Sequence, residues 1–325
     1  MTQVTSSTTA KPATARPSNG QLPKILVADA IAPAGVTLLA QTADVTYRPE
    51  ITPDALRECI ADYHGLIVRS RTRVTADLIR VARRLRAIGR AGVGLDTIDL
   101  KAARNRGIIV LNTPFASTVA VAELTIGLML ALARTITTAD AGMKQGDWLK
   151  KQLVGNELFG KTVGIIGIGR IGTAVVERAK AFGMKAVAVD PYLTSSQILQ
   201  HGAEPVTMKR VLAEADYLSV HTPLTADTRK LLGPAEIDRM KEGARLICCA
   251  RGRIVDETAL ADALDSGKLA GAALDVFATE PPGFSRLVQH PRVIATPHIG
   301  AMTREAQEKA ATDIAEQMLK ILHVD

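Results

Sequence analysis

The sequence predicts an α/β protein with two doubly wound parallel-sheet domains and a cleft between them. Three observations support this fold class. Short β-branched and small apolar runs alternate with helical patterns along most of the chain, which is typical of β-α-β units. The 325 residues have room for about two domains. Aromatic residues make up only 3% of the chain, so the cores must consist of Val, Ile, Leu and Ala, as in buried parallel strands.

The first set of β/α units occupies the N-terminal third of the chain. Five runs are predicted as strands, namely 24–30, 44–48, 65–70, 85–90 and 108–112. A helix is predicted over 52–62, because Thr52 can cap it and Pro53 takes its first position. A long helical stretch follows over about 118–145 and is apolar on several faces. We therefore expect it to pack against more than one surface.

The second set of units follows a turn-rich break at 155–160. Six runs are predicted as strands, namely 161–167, 185–190, 217–223, 244–250, 269–276 and 292–297. A last helix is predicted from Thr303 to about Leu322. The two sets predict two domains, and no sequence repeat relates them.

The charge balance does not indicate a nucleic-acid-binding protein. The net charge is +7, but the basic clusters at 69–73 and 82–86 are short and are not interleaved with aromatic residues. They predict either a solvated face or a pocket for a small anion. No nucleic-acid partner is therefore expected.

The cysteines and apolar segments favour a cytoplasmic protein. The three cysteines are Cys59, Cys248 and Cys249, an odd number with two adjacent members and no metal-ligand spacing, so a reducing compartment fits best and no metal is expected. The most apolar run, 124–133, is too short to span a bilayer, so no membrane association is expected. Residues 1–22 are rich in Ser, Thr, Ala and Pro and contain no acidic residue; a disordered tail is predicted, with organelle targeting as the alternative.

A glycine-rich turn follows the first strand of the second set. Gly167, Gly169 and Gly172 have the spacing G-x-G-x-x-G between a predicted strand and a predicted helix. In this context the pattern is typical of a dinucleotide-binding Rossmann turn, whose helix N-terminus binds a pyrophosphate. Asp190 ends the next strand, and a carboxylate there can bind both ribose hydroxyls and would repel a 2′-phosphate. The expected cofactor is NAD rather than NADP.

Three chemically complementary residues stand near the ends of later strands: Arg251, Glu280 and His298. The carboxyl ends of parallel strands share one sheet edge, so these side chains can converge. An arginine binds a carboxylate with two hydrogen bonds, and a histidine transfers a proton while a neighbouring glutamate orients it. Taken singly, each residue could have a purely structural role. Together they predict hydride transfer between a nicotinamide and a 2-hydroxyacid.

The chain resembles the D-isomer-specific 2-hydroxyacid dehydrogenase family over about residues 24–322. The matching motifs are GRAGVGLDTIDL (89–100), GKTVGIIGIGRIG (160–172), VDPY (189–192), HTPLTADT (221–228), CARGRIVDE (249–257), ALDVFATEPP (273–282) and TPHIGA (296–301). The resemblance implies that Arg251, Glu280 and His298 are the catalytic residues. It further implies a Rossmann-type NAD domain at 117–299 and a flavodoxin-like substrate domain at 23–116 and 300–325. It also implies a homodimer formed through the 118–145 region.

The resemblance also implies specific ligand contacts. The expected cofactor-binding residues are Val93, Gly167, Gly169, Arg170, Ile171, Gly172, Asp190, Thr222, Cys249, Ala250, Arg251, Asp275, His298, Gly300 and Ala301. The expected substrate-binding residues are Arg69, Ser70, Gly92, Val93, Gly94, Arg251 and His298.

Within the family, the segments 68–79, 89–94 and 144–158 are most similar to the phosphoglycerate dehydrogenase branch. This similarity implies a 3-phosphoglycerate/3-phosphohydroxypyruvate pair, as in serine biosynthesis. A phosphorylated substrate needs additional cations, and the candidates are Arg69, Arg71, Arg90, Lys150 and Lys151. Each of them could equally belong to a solvated face.

Some features depart from the family pattern. Arg253 replaces the second glycine of the common ARGG, and Ser117 stands where many members carry asparagine. The sequence ends at Asp325, so serine feedback through a C-terminal regulatory domain is not expected. The alternatives are a glyoxylate or hydroxypyruvate reductase, a broad 2-hydroxyacid dehydrogenase and, in another class, an NAD-sensing co-repressor.

Overall fold

The computed structural model describes residues 22–323. The chain divides into two compact units, one formed by residues up to Thr113 and from Glu308 onward, and the other by Pro114–Gln307. Every pair of neighbouring strands in the described residues is parallel. The prediction of two parallel-sheet α/β domains is therefore confirmed. The assignment of one unit to the cofactor and the other to the substrate stays a prediction.

Unit 1 contains a sheet in the order β2-β1-β3-β4-β5. Its strands are β1 (Lys24–Val27), β2 (Asp44–Tyr47), β3 (Gly65–Val68), β4 (Ala87–Arg90) and β5 (Ile109–Asn112). Its helices are α1 (Pro33–Ala40), α2 (Pro53–Cys59), α3 (Ala76–Val81) and α4 (Leu100–Asn105), and a 3-10 turn spans Ile60–Asp62. The order reverses at β1, which makes this a doubly wound sheet with its switch point between β1 and β3.

The C-terminal helix, Arg304–Leu322, covers one face of this sheet. Gly89 in β4 is needed for that packing, because a Cβ there would lie 2.8 Å from Ile314. Gly35 in α1 allows a similar approach, since its Cβ would lie 2.5 Å from the Ala311 carbonyl oxygen. Small residues thus let the last helix return to the sheet formed by the start of the chain.

Unit 2 contains a larger sheet in the order β12-β11-β10-β9-β6-β7-β8. Its strands are β6 (Thr162–Ile166), β7 (Lys185–Val189), β8 (Glu204–Pro205), β9 (Tyr217–Val220), β10 (Ala244–Cys248), β11 (Leu269–Leu274) and β12 (Val293–Ala295). Its helices are α5 (Thr118–Arg134), α6 (Ile136–Gln145), α7 (Arg170–Ala181), α8 (Ser195–Gln200), α9 (Met208–Glu214), α10 (Pro234–Asp238) and α11 (Glu257–Asp265). This is the Rossmann strand order, extended by one strand, and its switch point lies at β6 and β9.

The predicted elements agree with the structure at most positions. The predicted strands are observed with one to three residues trimmed from an end, and the Thr52 hydroxyl caps α2 by accepting a hydrogen bond from Ala55 N at 3.3 Å. The short edge strand β8 was not predicted. A segment of two paired residues leaves almost no periodic pattern in a sequence.

The single long helix predicted over 118–145 is wrong. The structure has two helices, α5 and α6, which meet at an angle of 64°. Thr135 between them has φ +49°, a left-handed conformation that ends an α-helix. Three of the four residues at 135–138 are threonine and the fourth is isoleucine, and such β-branched residues are poor helix formers.

No single helix in residues 22–323 has the length and apolar character needed to cross a membrane. The bent pair formed by α5 and α6 passes that test only when the two helices are taken together. In unit 2 itself, Met129, Ala122 and Ala133 of α5 are buried, and α5 packs on α7 and on β10 and β11. The expectation that this apolar helix contacts more than one surface is confirmed.

Candidate active site

The glycine-rich turn joins β6 to α7. Gly167 has φ +87°, and a Cβ on it would lie 2.9 Å from the His221 carbonyl oxygen. A Cβ on Gly172 would lie 2.4 Å from the Gly167 carbonyl oxygen. Both positions therefore require glycine for the fold itself. Gly169 differs, because a Cβ there would meet no protein atom within 4 Å, which leaves open space above the start of α7.

Asp190 follows β7 and lies beside this turn. One carboxylate oxygen accepts a hydrogen bond from Ile168 N at 3.1 Å, and the other accepts one from Tyr192 N at 2.9 Å. These two contacts fix the carboxylate next to the glycine turn, as the sequence predicted. The carboxylate keeps lone pairs available for further donors.

Two buried polar atoms lie in the segment that adjoins Gly167. After β9, the Thr222 hydroxyl and His221 Nδ1 are buried and have no hydrogen-bond partner among the described residues. The other His221 ring nitrogen lies 2.9 Å from the Ser219 hydroxyl. Burial lowers the pKa of His221 to about 4, so its ring is neutral at neutral pH.

These features fit a dinucleotide. The turn offers the free N–H groups of a helix N-terminus, space above Gly169, a carboxylate at Asp190 and an unpartnered hydroxyl at Thr222. A buried hydroxyl without a partner is costly in a folded protein. A ligand that hydrogen-bonds to it would remove that cost.

The three predicted catalytic residues follow neighbouring strands at one edge of the unit 2 sheet. Arg251 follows β10, Glu280 follows β11 and His298 follows β12. Glu280 and His298 are in direct contact, with 2.8 Å between Oε2 and Nδ1. The second Glu280 oxygen accepts a hydrogen bond from Phe277 N at 3.1 Å. The glutamate thereby holds the Nδ1 edge of the histidine ring and leaves Nε2 for other partners.

The loop that carries Arg251 packs tightly against the loop that carries Glu280. A Cβ on Gly252 would lie 1.8 Å from the Phe277 carbonyl oxygen, so this position tolerates only glycine. Arg253 donates from Nε to the Ala278 carbonyl oxygen at 2.9 Å. Arg251 itself donates to the Ala250 carbonyl oxygen at 2.7 Å. Backbone contacts therefore fix the spacing between the two loops.

Asp275 holds the histidine loop in place. It is 1% exposed and accepts hydrogen bonds from the Thr296 hydroxyl at 2.6 Å, Ile299 N at 2.8 Å and Gly300 N at 2.8 Å. His298 has φ +54°, a left-handed conformation that is unusual for a non-glycine residue. The Asp275 contacts on both sides of His298 stabilise that conformation.

The other predicted cofactor residues of unit 2 lie near the same strand ends. Cys249 and Ala250 follow β10 and are buried, Gly300 is buried beside Asp275, and the Ala301 carbonyl accepts a hydrogen bond from Gln307 at 2.7 Å. Burial raises the pKa of the Cys249 thiol well above its usual value. The Cys249 thiol therefore stays protonated at neutral pH.

In unit 1, the predicted substrate loop at 69–72 is organised by Asp29. Asp29 is 2% exposed and accepts hydrogen bonds from Arg69 N at 2.5 Å, from Thr72 N at 3.1 Å and from the Thr72 hydroxyl at 2.6 Å. Arg69 donates to the Ala30 carbonyl oxygen at 3.2 Å, and burial lowers its pKa while the Asp29 carboxylate opposes that change. Its guanidinium remains charged, and Ser70 beside it is exposed.

Arg71, a candidate phosphate contact, is engaged by groups of unit 1 itself. Its guanidinium forms an ion pair with Asp29 at 3.1 Å. It also donates to the carbonyl oxygens of Ala28 at 2.6 Å, Pro49 at 2.7 Å and Ile51 at 3.1 Å. These partners use most of its donors.

The second predicted substrate segment of unit 1, Gly92–Gly94, is fixed by the end of β5. Asn112 donates from its side-chain amide to the Val93 carbonyl oxygen at 2.6 Å, and Thr113 N donates to the Gly92 carbonyl oxygen at 3.0 Å. Gly92 has φ +149°, and a Cβ there would lie 2.4 Å from the Arg90 guanidinium. Arg90 therefore lies under this segment.

Sequence reasoning missed the roles of Asp29 and Asn112. Each stands at or next to the end of a predicted strand, and this position is the signal that could have identified them. Lys150 and Lys151, which were considered as phosphate contacts, are exposed in unit 2 outside regular structure.

The sequence matches a family model over residues 126–300, which is described as the NAD-binding domain of D-isomer specific 2-hydroxyacid dehydrogenases. A D-3-phosphoglycerate dehydrogenase from Methanocaldococcus jannaschii is 48% identical over 92% of this chain and 57% of its own length. The chain belongs to the D-2-hydroxyacid dehydrogenase family. The D-3-phosphoglycerate dehydrogenase of Rattus norvegicus is 44% identical over 93% of this chain and 57% of its own length.

Solved structures of other proteins have the same fold. A Thermus thermophilus protein has a TM-score of 0.84 at 37% identity, covering 92% of this chain and 96% of that chain. A glyoxylate reductase from Paecilomyes thermophila has a TM-score of 0.85 at 30% identity, covering 92% of this chain and 95% of that chain. The chain spans about half the length of the curated relatives that it matches. Its membership in this family shows that residues 126–300 form an NAD-binding domain.

Proposed function

We propose that this protein is an NAD-dependent oxidoreductase that interconverts a D-2-hydroxyacid and its 2-ketoacid. The supporting observation is the Glu280–His298 pair at 2.8 Å, on the sheet edge of the same unit as the glycine turn. Arg251 follows the strand next to that of Glu280. The residues that we propose for proton transfer, carboxylate binding and dinucleotide binding therefore all lie in unit 2.

In the proposed mechanism, a bound nicotinamide supplies or accepts the hydride. His298 Nε2 donates a proton to the carbonyl oxygen during reduction, or accepts it from the hydroxyl during oxidation. Glu280 keeps Nδ1 engaged and thereby fixes the ring orientation and tautomer. Arg251 binds the substrate carboxylate and polarises the adjacent carbonyl.

We propose that the cofactor contacts are those the sequence predicts. Gly167, Gly169, Arg170, Ile171 and Gly172 would hold the pyrophosphate, and Asp190 the adenosine ribose. The nicotinamide would be lined by Val93, Thr222, Cys249, Ala250, Arg251, Asp275, His298, Gly300 and Ala301.

The Asp190 assignment predicts a strong preference for NAD(H) over NADP(H), which Asp190→Ala should narrow. Asp190→Asn is the matched control, because asparagine keeps the size of the aspartate side chain but lacks its charge. Equal kcat/KM for both cofactors in the wild type would contradict the assignment.

For the substrate, we propose 3-phosphoglycerate and 3-phosphohydroxypyruvate. The support is the 42–48% identity to relatives named D-3-phosphoglycerate dehydrogenase and the cation at Arg69 in a loop held rigidly by Asp29. Ser70, Gly92, Val93 and Gly94 are the remaining proposed contacts in unit 1. The similarity to a glyoxylate reductase structure keeps glyoxylate or hydroxypyruvate reduction as the second candidate.

A turnover screen separates these substrates. It should include 3-phosphoglycerate, glycerate, glyoxylate, hydroxypyruvate and D-lactate. We expect the highest kcat/KM with 3-phosphoglycerate. The Arg69→Ala substitution should lower kcat/KM more for 3-phosphoglycerate than for glycerate. Equal losses with both would show that Arg69 does not bind the phosphate.

We also propose a cytoplasmic homodimer. The three cysteines, all in the described part of the chain, are free thiols, and exposed apolar side chains occur on and after α6, namely Ile136, Met143 and Trp148. The apolar residues of α5 are mostly used inside unit 2, so the surface available for dimerisation is smaller than the sequence suggests. Light scattering should give about twice 34.5 kDa, and a mass of one chain at micromolar concentration would contradict the dimer.

A further inference from the structure

Arg170 is the first residue of α7 and has an unusual environment. Its guanidinium lies over the ring of Phe115, 4.6 Å from the ring centre. In residues 22–323 no hydrogen bond or ion pair holds this side chain. A cation at a helix N-terminus is also electrostatically unfavourable, since that end of the helix carries a partial positive charge. Arg170 is exposed, and an anion bound nearby would offset this unfavourable interaction with the helix end.

Phe115 reaches Arg170 because α5 and α7 run side by side in the same direction. Eight residues further along each helix, Glu123 of α5 forms an ion pair with Arg178 of α7 at 3.2 Å. Phe115 precedes α5 and so lies level with the start of α7, beside the glycine turn. Its ring is 62% exposed, so burial in the core of unit 2 does not explain a large aromatic residue here.

The two arginines of α7, Arg170 and Arg178, differ in their surroundings. Arg178 lies in the last turn, where a cation is favourable, and has both Glu123 and the Ala174 carbonyl oxygen as partners. Arg170 has neither advantage, and the face of Phe115 is its one described contact. A ring face attracts a guanidinium without using any of its N–H donors. The donors of Arg170 therefore stay available for an anionic ligand.

We propose that Phe115 is a positioning residue for the cofactor: it holds the Arg170 guanidinium over its ring so that the N–H donors meet the pyrophosphate. This inference rests on the proposed function, because it assumes the dinucleotide site at Gly167–Gly172. Phe115 itself touches no phosphate. It reduces the number of conformations that the long arginine side chain must lose when the cofactor binds.

The experiment is a double-mutant cycle with Phe115→Leu and Arg170→Ala in the full chain, read as the NADH dissociation constant from fluorescence titration. Leucine keeps the apolar bulk but has no ring face. We expect Phe115→Leu to weaken NADH binding roughly two- to fivefold, which is the range for one solvent-exposed cation–π contact. Arg170→Ala should weaken NADH binding by about tenfold or more. The double variant should match Arg170→Ala alone.

Three controls make the result specific. Phe115→Tyr retains the ring face and should bind NADH like the wild type. Arg178→Ala breaks the Glu123–Arg178 ion pair between α5 and α7 and should leave the NADH dissociation constant unchanged. Adenosine, which has no phosphate, should compete with NADH equally well in the wild type and in the Phe115→Leu variant. ADP should compete with NADH less well in the variant than in the wild type.

The outcomes are distinguishable. Additive losses in the double variant would overturn the inference, because Phe115 would then act independently of Arg170. An unchanged NADH affinity in Arg170→Ala would also overturn it, while continued NAD-dependent turnover would leave the proposed function intact. A wild-type protein that neither binds NADH nor turns over any tested 2-hydroxyacid would instead contradict the proposed function.

Discussion

Asp29 in unit 1 and Asp275 in unit 2 organise functional loops in closely similar ways. Each is almost fully buried beyond the end of a strand, and each accepts hydrogen bonds from a threonine hydroxyl at 2.6 Å and from two backbone N–H groups. A buried carboxylate of this kind is stable only when its partners are in place. Both loops are therefore held rigidly.

The two loops differ in what they present. Asp29 is paired with a cation, Arg71, and its loop presents a second cation, Arg69. Asp275 has no ion pair within residues 22–323, and its loop presents His298 in a left-handed conformation against Glu280. The first arrangement is suited to holding an anion, and the second to moving a proton. The comparison predicts that changes to the Asp29 loop affect substrate binding and that changes to the Asp275 loop affect chemistry.

The largest expected effect is at His298. His298→Ala should lower kcat by roughly two to four powers of ten, since it removes the proton carrier. The NADH dissociation constant should change much less, because the glycine turn and Asp190 lie elsewhere in unit 2. Steady-state kinetics and fluorescence titration measure the two quantities separately. A kcat near that of the wild type would show that His298 is a structural loop residue.

The two aspartates can be compared directly with matched variants. Asp275→Asn should lower kcat by about tenfold or more, because a small displacement of the histidine loop is costly in catalysis. Asp29→Asn should mainly raise the substrate KM. Thr296→Val and Thr72→Val are the controls, since each removes one of the hydrogen bonds to the same aspartate. If Asp29→Asn lowers kcat as strongly as Asp275→Asn, the division between binding and chemistry is wrong.

Acid should weaken unit 2 more than unit 1 through their buried histidines. Burial lowers the pKa of His221 to about 4, and it also lowers the pKa of the half-buried His64. Between about pH 6.5 and 4 the unfolded chain binds a proton at position 221 that the native protein does not bind, so stability falls as the pH is lowered through this range. The loss from His221 is roughly 3 kcal/mol.

Urea unfolding followed between pH 8 and 4.5 tests this difference. His221→Asn should flatten the pH dependence of the unfolding free energy more than His64→Asn does. An equal effect of the two variants, or none from His221→Asn, would contradict the assigned environments.

The smallest expected effect is at Arg253. Arg253 has φ +69°, and a left-handed conformation costs a non-glycine residue roughly 1–2 kcal/mol. Arg253→Gly relieves this strain but loses the hydrogen bond to Ala278. We therefore expect an unfolding free energy higher by less than about 1 kcal/mol, with kcat within about twofold of the wild type. A large loss of kcat would show that Arg253 positions the Glu280 loop.

Local sequence determined the fold class and many of the elements. Alternating apolar runs and helical patterns predict both sheets, and the spacing of Gly167, Gly169 and Gly172 identifies the turn between β6 and α7. Strand ends also predicted that Glu280 and His298 would come together, since parallel strands share one edge. These features are local patterns or follow from sheet geometry, so a single sequence contains them.

Tertiary structure decided what depends on distant partners. The backbone angle at Thr135 splits the long apolar stretch into two helices, although each half has a helical pattern. Arg69 and Arg71 have the same side chain two positions apart, yet only Arg71 meets Ala28, Pro49 and Ile51. Nothing in the local sequence separates the two arginines. The three carbonyl groups that bind Arg71 come from other segments, and only the folded chain brings those segments together.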